Sequence, residues 1–165
     1  MKTRRSRPLA LRAHANPWVV GGIAGFLGGA FEVAWIGLYQ HLAGHDGATV
    51  ARGVTQTLIP NFATASEAVP LGVAIHMAFA ILLGVAIAII VQKLLPRIVG
   101  TAIEPIAVVS MLVGVWALNF FLLLPTINPA FVDLVPYGAS LTSKVLFGFA
   151  AAFVFWCARR VHARN

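Results

Sequence analysis

The chain has 165 residues, of which 59% are apolar and only 10% charged, with a mean hydropathy of +0.87. That composition excludes a water-soluble domain, which needs far more polar surface at this size, and makes lipid the solvent. The net charge of +7 does not point to nucleic acid, because the basic residues flank apolar spans and no aromatic-interleaved groove accompanies them.

A polar tail over 1–16 comes first. Thr3-Arg4-Arg5 has the form of a twin-arginine start and Ala13-His14-Ala15 that of a cleavage site. The long apolar run follows both instead of preceding the cleavage form, so the expectation is an uncleaved tail. The first helix is predicted over about 17–41. Asn16 serves as N-cap, Pro17 occupies the first helical position and Trp18 lies at the interface level. Gly21, Gly25 and Gly28 form one stripe at ~100° per residue, a spacing that lets helix backbones approach closely in lipid. Glu32 continues the stripe, so it should face another helix.

Beyond this helix, His41 and His45 stand four apart with Asp46 adjacent, a spacing suited to a divalent transition metal if the helix continues through Gly44. Val50, Val54 and Leu58 then recur four apart, which predicts a short amphipathic helix on the membrane surface, ended by Pro60-Asn61. The second membrane helix is predicted over about 69–92, opened by Pro70 and carrying His76. The link from Gln92 to Glu104 is short, which predicts that the second and third helices are antiparallel neighbours. The third helix, over about 105–125, carries Asn119. A proline-rich turn from Pro125 to Tyr137 leads to the fourth, over about 135–158, with Lys144 between Ser140 and Gly148 on a small-residue face. Cys157 is the single cysteine, so no internal disulfide forms.

The fold expected is therefore an all-α membrane protein, one integral domain over 1–165 built as a bundle of four transmembrane helices. Each span approaches the ~20 residues that cross ~30 Å of hydrocarbon, too long and too uniformly apolar for barrel strands. Ten of the twelve Lys and Arg residues fall on one side: Lys2, Arg4, Arg5, Arg7 and Arg12, then Lys93 and Arg97, then Arg159, Arg160 and Arg164. The positive-inside rule places both termini in the cytoplasm. Val69-Pro70-Leu71-Gly72 and Val135-Pro136-Tyr137-Gly138 open the second and fourth helices alike, which points to a parallel two-helix repeat.

Four polar residues are costly in lipid: Glu32, His76, Asn119 and Lys144. An ionisable residue near a helix centre costs roughly 2.5–3.5 kcal/mol on insertion scales, so such groups pair inside a bundle or line a cavity. At ~1.5 Å per residue all four lie roughly 9–14 Å below the external boundary. They are expected to form one polar cluster in the outer half, with Glu32 and Lys144 as its central pair. Such a pair fixes helix order if static, and handles protons or metal ions if Glu32 and His76 change charge.

No nucleophile elbow, paired-histidine protease helix, phosphate loop or thiol pair is present, so no enzyme is indicated. Haem ligation by His41 and His76 fails because their depths differ, and no cofactor is expected. The segments Pro125-Thr-Ile-Asn128-Pro129-Ala-Phe131, Val135-Pro136 and Ser143-Lys144-Val-Leu-Phe147-Gly148, with the Gly-Val-Ala-Ile-His76-Met run, resemble small four-helix bacterial inner-membrane proteins of unassigned function. The resemblance implies that architecture and that membrane, and supplies no activity or substrate. The leading expectation is a structural or accessory subunit, or an assembly helper, of a membrane complex, with the lipid bilayer and a membrane-protein partner or second copy as its contacts. The alternative is a proton or metal-ion transporter or channel that works as an oligomer.

Overall fold

A computed structural model describes residues 16–162; the basic tail before Ala15 and Arg164 lie outside the described residues. All regular elements among the described residues are helical: α1 Pro17–Leu42, α2 Ala48–Leu58, α3 Ala68–Ile89, α4 Ile103–Leu118, α5 Leu124–Ile127, α6 Pro129–Leu134 and α7 Tyr137–His162. Two five-residue π segments extend α3 through Leu94 and join α4 to α5. Four continuous helical stretches are long and apolar enough to cross a membrane: Pro17–Leu42, Ala68–Leu94, Ile103–Ile127 and Tyr137–Val161. The chain is thus a multi-pass membrane protein by the length and apolarity of its helices.

Proline chemistry sets the helix starts. The Asn16 side chain accepts a hydrogen bond from Trp18 N at 2.9 Å and Pro17 follows as the first helical residue. Pro70 and Pro105 both lie in the first turns of α3 and α4, where backbone N–H groups lack a helical partner, so a residue without one costs nothing there. Pro125 behaves differently from expectation. It does not end the third span, which continues to Ile127. A proline ring at 125 conflicts with the carbonyl four residues earlier, and the backbone answers with π register: Leu124 N bonds to Asn119 O, five residues back.

Packing order differs from chain order. The α1 helix packs antiparallel on both α3 and α7, and α7 packs antiparallel on α4. The sequence of neighbours is therefore α3, α1, α7, α4. The expectation that the short link makes α3 and α4 packed neighbours is overturned, because they share almost no close backbone approach. The reason is glycine. A Cβ on Gly21 would meet Val85 Cα at 2.6 Å, one on Gly25 would meet Ile81 Cα at 2.6 Å, and one on Gly28 would meet the Phe147 ring at 2.6 Å. With these glycines on α1 and Gly84 on α3, backbones approach more closely than any Cβ permits, and α1 becomes the most enclosed of the four spans. A parallel two-fold repeat would map the α1 and α7 contact onto α3 and α4, a pair with no comparable close approach of backbones.

The apolar core lies in the half of the bundle that holds the ends of α3 and α7, around Ala24, Ile87, Leu112, Phe147 and Phe155. Toward the opposite end a smaller cluster gathers Trp116, Phe120 and Leu124. That end is closed by the short helices. The α2 helix docks on protein by Gly53 and Thr55, buried against α3 and α6, and not by its Val50, Val54 and Leu58 stripe, of which Leu58 stays 49% exposed. Gly72 on α3 lets the Ala51 carbonyl come close, and Thr55 Oγ1 donates to Ala68 O at 2.6 Å. Asn128 Nδ2 reaches Thr57 Oγ1 at 2.8 Å and Gln40 Nε2 reaches Leu134 O at 2.8 Å, tying α2 and α1 to the α5–α6 turn.

Candidate functional site

The polar cluster assembles where α1, α3 and α7 meet. Glu32 lies one turn past Gly28, so the close approach that seats Phe147 against α1 also brings Glu32 onto the preceding turn of α7. That turn carries Ser143 and Lys144. Lys144 Nζ stands 2.7 Å from Glu32 Oε1 and 2.9 Å from Oε2, so one ammonium spans both oxygens. Ser143 Oγ lies 3.1 Å from Oε1 and 2.7 Å from the Ser140 carbonyl, and its single hydrogen is divided between them. Glu32 is 3% exposed, and Lys144 is 15% exposed with its ammonium 5.8 Å from the Phe147 ring centroid. The pair is thus buried, charge-assisted and doubly bonded, the form in which an ion pair survives removal from water.

His76 completes the junction from α3 without joining the network. Its Nε2 is 3.6 Å from Glu32 Oε2, beyond hydrogen-bonding distance though within ion-pair range, and is the single buried side-chain nitrogen or oxygen among the described residues with no hydrogen-bond partner. With imidazole neutral, Glu32 and Lys144 balance each other and the cluster carries no net charge. Protonation of both ring nitrogens would add a second cation facing the same carboxylate.

Asn119 stays apart. It is half-buried at the start of the π segment and its side chain has no hydrogen-bond partner among the described residues. The cause is the packing order: α4 touches α7 but stands outside the α1, α3 and α7 junction. From α4 the contact comes one turn earlier, where Trp116 Nε1 donates to Ser140 Oγ at 3.0 Å. Trp35 of α1 likewise donates to Ala139 O at 2.9 Å. Ser140, Ser143 and Lys144 share one face of α7 at offsets of three and four, so that face is a polar strap binding α1 and α4 alike. Sequence reading placed Lys144 and Ser140 on that face but missed Ser143, Trp116 and Trp35; the spacing of the two serines was the available signal.

His41, His45 and Asp46 do not come together as a metal site. Gly44 adopts φ +75°, ending the helix, so His41 and His45 no longer stand on one helical face. His45 Nδ1 is 3.1 Å from Gln40 Oε1, and Asp46 caps Ala48 N at 2.9 Å and pairs with Arg52 at 3.3 Å. Among the described residues no group of three or more His, Cys, Asp or Glu side chains is placed to hold a metal.

A second buried ion pair went unnoticed in the sequence. Glu104, in the first turn of α4 and 2% exposed, bonds Arg159 near the end of α7, and its Oε2 accepts from Gly100 N at 2.5 Å. Opposite charges at the start of one helix and the end of its antiparallel neighbour were the clue. The α7 helix is thereby pinned at both depths, to α1 by Lys144 and to α4 by Arg159.

Fold and site together define a four-helix membrane protein with a buried ion pair at each end of its last helix. Comparison with protein families, with curated proteins and with solved structures finds no match to the chain.

Proposed function

We propose that this chain is a small polytopic protein of the bacterial inner membrane, with both termini in the cytoplasm, that acts as a structural or accessory subunit, or an assembly helper, of a membrane complex. The observation that carries the reading is the saturation of Glu32: both carboxylate oxygens are held by Lys144, with Ser143 beside them. A carboxylate already neutralised in this way, beside a glycine seam closed to backbone contact, suits a rigid assembly element better than a conduit. Orientation follows from charge. Among the described residues one end carries Lys93, Arg97, Arg159 and Arg160 against Glu104, and the other carries Arg52 against Asp46, Glu67 and Asp133. The test is extraction in a mild detergent followed by affinity purification. A stoichiometric membrane partner is expected; a lone, monodisperse chain at native expression level would overturn the reading.

A second reading, proton or metal-ion transport through an oligomer, is favoured by one observation, the unpartnered Nε2 of His76 facing Glu32. It predicts a pH- or metal-dependent flux in liposomes that Glu32→Gln and His76→Phe each abolish. Folded protein without flux removes it.

A further inference from the structure

We propose that the groove between the start of α4 and the end of α7 is a binding site for an anionic phospholipid, with the phosphate seated near Arg159 and an acyl chain along Phe153. The groove encloses about 400 Å³ and is lined by Gly100, Thr101, Pro105, Phe153, Trp156 and Arg159 among others. Its composition is graded. Thr101, Glu104 and Arg159 supply its polar lining, and Pro105, Ala152 and Phe153, the last two about two turns before Arg159 on α7, its apolar lining. That gradient matches a phospholipid at the depth where headgroup meets chain.

Charge selects the class of lipid. Of the charged side chains at this end among the described residues, Lys93, Arg97, Arg159 and Arg160 are cationic and Glu104 alone is anionic. Glu104 also lines the groove, and its carboxylate, 2% exposed and held by Arg159 and Gly100 N, balances the Arg159 charge. Arg159 engages it through Nη1 and remains 32% exposed, and a guanidinium has five N–H donors in all. Arg160 stacks its guanidinium over Trp156 at 3.8 Å, which places a cation not balanced by Glu104 beside a groove wall. A zwitterionic headgroup would bring its own ammonium to this surface, whereas a phosphodiester with net negative charge is complementary to it. The site is independent of the Glu32 cluster, so it stands or falls apart from the proposed function.

The experiment uses the full chain in nanodiscs containing brominated phosphatidylglycerol or brominated phosphatidylcholine diluted in unlabelled phosphatidylcholine. The signal of Trp156 is isolated as the difference from Trp156→Phe. The anionic lipid is expected to quench Trp156 at several-fold lower mole fraction, and Arg160→Gln to weaken this preference by about fivefold, the effect of one basic residue near an anionic surface. Lys93→Gln, a control for general surface charge, should leave the Trp156 preference in place. Equal quenching by the two lipids, or equal loss in Lys93→Gln and Arg160→Gln, overturns the site. Inorganic phosphate at millimolar concentration is the competing arm: relief of quenching by phosphate alone would mean that a free anion is the ligand, and would overturn the lipid assignment. Arg160→Gln spares the Glu104 and Arg159 pair, so folding is preserved where Arg159→Gln would disturb it.

Discussion

Breaking the Glu32 and Lys144 pair from each side in turn separates a lock from an ornament. Glu32→Gln keeps an amide oxygen where Oε1 stands 2.7 Å from Nζ, and it leaves the ammonium on a residue that is 15% exposed. The expected cost is about 3 kcal/mol, the lower end for a buried pair stripped of one partner. Lys144→Met is harsher. It leaves a carboxylate on a residue 3% exposed, with the Ser143 hydroxyl shared with a carbonyl and the His76 imidazole 3.6 Å away. Its cost should reach about 5 kcal/mol. The double variant removes both charges and should return to within about 1–2 kcal/mol of the parent, giving a coupling energy of about 6–7 kcal/mol. Reversible unfolding in mixed micelles, followed by tryptophan fluorescence, measures all four corners of the cycle. Single effects that add to within about 0.5 kcal/mol in the double variant would refute the reasoning, because independent sites do not couple.

The glycine seam makes a sharp contrast. Gly25→Val should cost about 1–3 kcal/mol because its Cβ would meet Ile81 Cα at 2.6 Å, while Gly22→Val, with nothing within 4 Å of its Cβ, should leave the same unfolding curve unmoved. Thr55→Val removes the buried 2.6 Å bond to Ala68 O and should cost about 1–3 kcal/mol, seen as faster hydrogen exchange across α2. Arg159→Met strips Glu104 of its cation and should destabilise more than Glu104→Gln, which removes the buried charge itself; the same micelle assay ranks them. Introducing Gly44→Ala should strain the turn after α1, where φ is +75°, at a cost of about 1 kcal/mol.

The solvent, the span count and the approximate register were legible in the sequence because each rests on local chemistry. Long apolar runs between prolines specify helices that lipid accepts, and the stripe from Gly21 to Glu32 correctly announced a buried face on α1. Depth counting also brought Glu32, His76 and Lys144 to one level, since rise per residue is nearly constant in a helix.

Lateral order was beyond that reach. Periodicity says which face of a helix is packed but not which helix packs on it, and a short link does not settle the matter when a glycine seam elsewhere permits closer approach. So α1 came to lie between α3 and α7, Asn119 was left outside the cluster on α4, and Trp116 took its place by reaching Ser140. The same limit hid the pairing of Glu104 with Arg159, 55 residues apart in the chain. It also hid the docking of α2, whose Val50, Val54 and Leu58 stripe is amphipathic but whose buried residues are Gly53 and Thr55. What the sequence by itself determined was helix content, spans long and apolar enough for a membrane, and the common level of Glu32, His76 and Lys144. Which groups meet was decided only by tertiary packing, because contact between helices depends on the backbone distance that glycine permits.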